Sequence, residues 1–271
     1  MSGETDVFDE SRLRHSLRQA GANPVVIDNI AHKITSDIHD GSTTKEIYKK
    51  AFALLRKSKR STAARYKLKR AIAELGPTGF PFEKYVGALL NHQGFDVNVG
   101  VSVKGKCVNH EVDVVAEKNG KHYIVECKFH GDLSNACDVK IPLYIHSRFV
   151  DVEKGSDGSA GNGINFQQGW LVTNTRFTSD AVKYGNCVGL HLISWDYPAK
   201  GSLKDMIDQA GLHPITSLTS ITLNEKQYLI NKGIILCKDL CENKKVLSGI
   251  SKSKSRIENI LEEASELCAM R

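Results

Sequence analysis

The stretch EVDVVAEKNGKHYIVECK, residues 111–128, leaves few options for the chain around it. Two runs rich in Val, Ile and Tyr flank Asn119-Gly120, a dipeptide that favours a two-residue hairpin turn because both residues tolerate positive φ. With that turn, paired positions sum to 239, so Val114 meets Val125, Asp113 meets Glu126 and Glu111 meets Lys128. Side chains alternate across a strand, which predicts Glu111, Asp113, Glu126 and Lys128 on one face. The other face pairs Val112 with Cys127, Val114 with Val125 and Ala116 with Tyr123, and it is the expected core. Directly opposed carboxylates repel. The Asp113–Glu126 pair therefore asks for a cation between its members. Lys128 supplies part of that charge, and a divalent ion such as Mg²⁺, which takes hard oxygen ligands, would supply more. A solvated face with a Glu111–Lys128 ion pair accounts for the same residues.

Around the hairpin the segments alternate in type. FPFEKYVGALLNHQG carries Pro81 in its first turn and closes at Gly94, a capped helix. FDVNVGVSV alternates Phe95, Val97, Val99, Val101 and Val103, a half-buried strand. After the hairpin come a helix from Asp138 to about Val152, the strand GWLVTN, the short helix TSDAVKYGN and the strand GLHLISW. The order α-β-β-β-α-β-α-β predicts an α/β sheet covered on both faces. GSDGSAGNG lacks the Lys-Ser/Thr of a phosphate loop and reads as a flexible insertion. Gln167 and Gln168 read as surface polars. The flanks are helical, with Thr43/Glu46 and Thr222/Glu225 as capping boxes and the apolar stripes Leu13/Leu17, Ile30/Ile34 and Ala51/Leu55. GPTG at residues 76–79 marks a boundary.

Charge is uneven along the chain. Residues 45–70 hold 11 Lys/Arg against the single acid Glu46, within a formal net charge of +6. A solvated helix face explains such a run, and so do phosphate contacts. Seven cysteines with no CxxC pair predict reduced thiols and a cytoplasmic setting. No run is apolar enough to span a bilayer.

Asp113, followed thirteen residues later by Glu126-Cys127-Lys128, resembles the D…(D/E)xK motif of the PD-(D/E)XK nuclease superfamily. GFPFEKYVGALLNHQGFDV is similar to the first helix of its Mrr-like restriction-endonuclease branch, with Glu83 at that helix's acidic position. GWLVTNTRFTSDAVKYGNCVGLHLISW is similar to the strand–helix–strand that closes the Mrr-like domain. The resemblance covers roughly residues 78–197. It implies that Asp113, Glu126 and the Cys127 backbone carbonyl ligate Mg²⁺, with Mn²⁺ as a substitute. It also implies that Lys128 orients or helps deprotonate the attacking water, and that Glu83 holds the ion's water shell or a second ion. The reaction implied is hydrolysis of DNA phosphodiesters, in a restriction, defence or repair role.

VFDESRLRHSL and TTKEIYKKAFALL resemble the ATP-cone, the nucleotide-binding module of ribonucleotide reductases and their repressor. That likeness implies ATP or dATP as an effector, with Arg12 and Lys33 as phosphate contacts. VLSGISKSKSRIENIL resembles a helix-hairpin-helix, which implies DNA contact at Gly249, Lys252 and Lys254 beside a helix N-terminus. The expectation is therefore an α/β protein: a restriction-endonuclease-like mixed sheet at 77–200, an ATP-cone-like helical domain at 1–76 and a small all-helical domain at 201–271. A homodimer or larger homo-oligomer follows if duplex DNA is cut, since one site cuts one strand. Two alternatives stay open: a catalytically idle, nucleotide-regulated DNA-binding protein, and a nuclease for RNA or branched DNA.

Overall fold

The computed structural model describes residues 7–156 and 164–269, so most of GSDGSAGNG lies outside the described residues. In chain order the helices and strands are α1 (Glu10–Gln19), α2 (Pro24–Asp37), α3 (Thr44–Ser58), α4 (Arg60–Tyr66), α5 (Leu68–Ala73), α6 (Phe80–His92), β1 (Asp96–Lys104), β2 (Asn109–Lys118), β3 (Lys121–Lys128), β4 (Ala136–Cys137), α7 (Lys140–Ser156), β5 (Phe166–Thr173), β6 (Arg176–Phe177), α8 (Ser179–Cys187), β7 (His191–Ile193), α9 (Leu203–Ala210), α10 (Leu223–Asn231), α11 (Cys237–Glu242) and α12 (Lys254–Ala269). They form two compact units. One joins the chain up to Ala71 with the chain from Ile215 onward, and the other runs from Ile72 to Pro214.

The helical unit is discontinuous in sequence. Thr216 donates its hydroxyl to the Ala71 carbonyl at 2.5 Å, and Lys67 Nζ donates to the Thr216 carbonyl at 3.3 Å, so first and last segments share one body. Its N-terminal core gathers Leu13, Leu17, Ile27, Ile30, Ile34, Ala51, Leu55 and Ala63. Both expected capping boxes are present: Glu46 Oε2 accepts from Thr43 N at 2.9 Å and Glu225 Oε2 from Thr222 N at 2.7 Å. Buried Glu263 on α12 accepts from Thr219 N, Thr219 Oγ1 and Ser220 N. That carboxylate takes the place of backbone acceptors for the N–H groups of this loop.

The other unit is built on a five-stranded sheet of order β1-β2-β3-β5-β7. Asn119 and Gly120 both have positive φ, and β2 pairs antiparallel with β3 from Lys118↔Lys121 to Val114↔Val125, the expected register. β3, β5 and β7 run parallel, so the sheet is mixed. Helix α6 covers one face: Val97 and Val99 come so near Gly87 that an added Cβ would lie 3.2 and 3.1 Å from their methyls. Helix α7 covers the other, where Val103, Val112, Val115, Ile124, Val152 and Phe166 form a core. Both faces of the hairpin are therefore packed, not one. Of the four charged residues, Glu126 is buried, Asp113 half-buried, and Glu111 and Lys128 exposed.

Gly100, at φ +69°, interrupts β1 opposite Asp113. Val97 and Val99 on one side of it face α6, whereas Val101 and Val103 on the other join the core under α7. A glycine at such a point re-aims a strand, here beside an expected site residue.

The turn between β1 and β2 is tied to α7. Asp151 accepts from Cys107 N at 3.0 Å, Val108 N at 3.4 Å and His110 Nε2 at 2.8 Å, and its own carbonyl accepts from Lys106 N at 2.9 Å. Backbones nearly touch there: a Cβ on Gly155 would lie 2.5 Å from the Gly105 carbonyl carbon. No side-chain rotation relieves backbone against backbone. Gly155→Ala is expected to lower stability by roughly 1–3 kcal/mol, the usual cost of overpacking. Urea unfolding checks this, and an unchanged midpoint would contradict the close approach.

Among the described residues no helix is long and apolar enough to cross a membrane. All seven cysteines are free thiols.

Candidate active site

Four acidic side chains come together at one end of the sheet. Glu83 is carried by the first turn of α6, Glu111 and Asp113 by β2, and Glu126 by β3. The β2–β3 ladder stops at Val114↔Val125, one step short of the expected Asp113–Glu126 pair. Beyond it the Cys127 N–H donates to Asp113 Oδ2 at 2.7 Å, so a side chain takes the bond that a neighbouring strand would have supplied. β3 stays paired with β5 as far as Lys128↔Thr173. The two strands of the hairpin thus part where the carboxylates begin.

Burial and crowding favour the protonated form at Glu83, Asp113 and Glu126. Glu126 is only 5% exposed, and its pKa is pushed up to about 8, first by desolvation and then by Asp113, with Arg148 pulling the other way. That of Glu83 is pushed up to about 7 by desolvation and by the charges of Asp113 and Glu111. Desolvation also raises Asp113, against the Cys127 hydrogen bond and Arg148. Three carboxyls that each resist ionising make a site short of positive charge.

Lys128 is exposed at the end of β3. Its backbone is fixed from β5: Thr173 Oγ1 donates to the Lys128 carbonyl at 2.7 Å. Asn174 brackets the next residue but one, accepting from His130 N at 2.8 Å and donating to His130 O at 2.7 Å. Thr173 and Asn174 are fully buried, which gives the VTNT run a structural reason.

Arg148, on α7, was not among the expected residues. Its Nη1 lies 2.7 Å from Glu126 Oε2, and its Nη2 donates to the Glu111 carbonyl. The guanidinium carbon stands 5.5 Å from the centroid of the Tyr144 ring. Among the described residues, Glu126 Oε1 and Arg148 Nε are buried with no hydrogen-bond partner. The sequence did hold a signal: Ile141, Ile145, Phe149 and Val152 make an apolar stripe on α7, and Arg148 falls within it.

A divalent ion suits this donor set in one respect and not in another. The unbonded Glu126 Oε1, the desolvation that raises Glu83, Asp113 and Glu126, and the charge of Asp113 on both glutamates favour a cation here. Yet among the described residues no three His, Cys, Asp or Glu side chains converge on one metal-sized position. Mg²⁺ needs only one or two protein carboxylates and fills the rest of its shell with water and substrate oxygens, so the two observations are compatible.

The remaining residues singled out in the sequence have surroundings of their own. Gln168 donates to Gly189 O at 2.9 Å and accepts from Trp170 at 3.2 Å, a structural role, and Gln167 is exposed. In the helical unit, Arg12 pairs with Asp9 at 3.4 Å and Lys33 is exposed on α2. Lys252 and Lys254 are exposed at the start of α12, where Ser253 N donates to Ser251 Oγ at 3.1 Å. Gly249 has a steric reason to be glycine: an added Cβ would lie 2.1 Å from Tyr228 Oη.

Comparison with known proteins gives these residues a context. Residues 76–141 match a family model described as restriction endonuclease, and residues 213–268 match one described as AF1548-like, C-terminal. A protein of Archaeoglobus fulgidus, itself uncharacterized, is 37% identical over 182 residues, covering 66% of this chain and 97% of that one. A crystal structure described as a protein of unknown function, AF1548, superposes with a TM-score of 0.58 at 34% identity, over 70% of this chain and 98% of that chain. Can2 from Sulfobacillus thermosulfidooxidans, solved with cyclic tetra-adenylate, aligns at 15% identity with a TM-score of 0.33 over 68% of this chain and 50% of that chain, too loose a likeness to carry an argument. Residues 1–75 lie outside both family matches. With a nuclease-type domain around Asp113 and Glu126 and the matching helical segment after it in sequence, the chain belongs to the AF1548-like family.

Proposed function

We propose that the protein is a metal-dependent endonuclease that hydrolyses DNA phosphodiester bonds. The observation that carries this reading is the parting of β2 from β3 at Asp113 and Glu126, which sets two carboxyls, a third from α6 and an exposed lysine at one end of the sheet. Asp113 and Glu126 would hold Mg²⁺ or Mn²⁺ with the Cys127 carbonyl, and Glu83 would hold its water. When bound, such an ion polarises a phosphoryl oxygen and lowers the pKa of its water toward neutrality. Lys128 would meet the phosphate and the attacking water; its exposed side chain and its backbone held by Thr173 support that role. Glu126 and Glu83 must shed their protons before they can hold a cation, which favours activity above neutral pH.

A basic stripe on the helical unit supports a nucleic-acid partner. On α3, Lys45, Lys49 and Arg56 are exposed on one face, with Lys50 and Lys57 beside them. Glu46, the acid among them, is occupied by its capping box. Replacing Lys45, Lys49 and Arg56 together by Ala is expected to lower the slope of log K against log[salt] by about 2–3, at about 0.9 per lost phosphate contact. An unchanged slope would remove α3 from the interface. Gly249, Lys252 and Lys254 as DNA contacts, Arg12 and Lys33 as contacts for ATP or dATP, and a homodimer or larger assembly belong to the same proposal. Competition among linear duplex, single strand, branched DNA and RNA for cleavage tests the substrate. Preference for RNA or junctions would overturn the duplex reading, and binding without cutting would leave a DNA-binding protein.

A further inference from the structure

We infer that Arg148 is a positioning residue of this site: it holds Glu126 by one oxygen so that the other is presented to the divalent ion. The inference rests on the reading of Asp113 and Glu126 as that ion's ligands. Three observations meet in it. The guanidinium bridges the two strands where their ladder has stopped, with Nη1 on Glu126 Oε2 at 2.7 Å and Nη2 on the Glu111 carbonyl. It therefore replaces, with one rigid fork, the backbone bonds that would have fixed Glu126 relative to β2. The oxygen left over, Oε1, is buried and accepts no hydrogen bond among the described residues, so no protein donor competes for it.

The base of the fork is fixed as well. Arg148 has a side chain only 14% exposed, and it sits one turn from Asp151, whose carboxylate grips the β1–β2 turn through Cys107, Val108 and His110. Helix α7 thus presents the fork from a position locked to the same β2 strand that carries Glu111 and Asp113. A guanidinium that merely drifted toward a carboxylate would need neither the second anchor on a backbone carbonyl nor a buried stem. Outer partners that orient metal-ligating carboxylates typically contribute about 10–100-fold to metal affinity.

Calorimetric titration of the full chain with Mn²⁺ alone tests this, on wild type, Arg148→Met and Arg148→Lys, each checked for native circular dichroism. Arg148→Met keeps the stem without the fork and is expected to bind Mn²⁺ about ten-fold more weakly, or worse. Arg148→Lys keeps a charge for Glu126 but cannot bridge to Glu111, and it should recover part of the loss. Mn²⁺ affinity that is unchanged or tighter in Arg148→Met would overturn the inference, because a guanidinium that only occupies the carboxylate in the absence of an ion would compete with Mn²⁺. A wild-type protein that takes up no Mn²⁺ overturns the ligand reading itself, and the wild-type trace separates that result from failure of the fork alone.

Discussion

Lys128→Ala is expected to lower the rate of DNA cleavage by about 10²–10⁴-fold, the range over which positioned proton-transfer and charge-stabilising groups act. The side chain is exposed, and its backbone stays held by Thr173 and by pairing to β5 whatever the side chain is. Stability, DNA affinity and Mn²⁺ uptake should therefore change little. That combination separates a reacting group from a structural one. Single-turnover cleavage at saturating enzyme measures it, and a rate close to that of wild type would remove Lys128 from the chemistry.

The second large effect is on pH dependence in the metal-free protein. Glu126 and Glu83 have folded pKa values raised to about 8 and about 7, whereas the unfolded chain ionises both near 4.5. Between those values the native state binds more protons than the unfolded one, so stability falls as pH rises. His130 and His191, held below their ordinary value by burial, work in the opposite sense only up to about 6.5. The lowered carboxylates, such as Glu46 and Glu225, act below about 4.5. The clean window thus runs from about pH 6.5 to about pH 8. Across it the loss should be on the order of 1 kcal/mol, since a tenfold change in an ionisation constant corresponds to about 1.4 kcal/mol and solvent screens the partly exposed Glu83. Saturating Mn²⁺ should flatten the slope. At the acid end of the window its uptake should also release protons, read as a binding heat that changes with the ionisation enthalpy of the buffer. Stability that stays flat or rises across the window without metal would contradict the raised values.

Much of this was legible because local chemistry decides it. Asn119-Gly120 dictates a tight turn, the turn dictates the register, and the register places Asp113 near Glu126. Pro81 and Gly94 bracket α6 and thereby put Glu83 in its first turn. What stayed hidden depends on groups far apart in sequence. The end of the ladder at Val114↔Val125 comes from competition between the Asp113 carboxylate and the strand for the Cys127 N–H, which no periodicity reports. Arg148 reaches Glu126 across 22 positions, and a charge on an apolar helix stripe does not say which carboxylate it meets. The joining of the two terminal segments into one helical unit rests on bonds such as Thr216 to Ala71, 145 positions apart. Gly249 is a fourth case, where a sequence likeness suggested a phosphate turn and the packing of Tyr228 supplies a second reason for glycine.

The most direct measurement is nicking of supercoiled plasmid by the wild-type protein in Mg²⁺, in Mn²⁺ and in EDTA. Nicks that accumulate with either ion and cease in EDTA are the predicted result. Nicks that persist in EDTA would contradict a site in which Asp113 and Glu126 work through a divalent ion, and plasmid bound but left intact under every condition would contradict the nuclease itself.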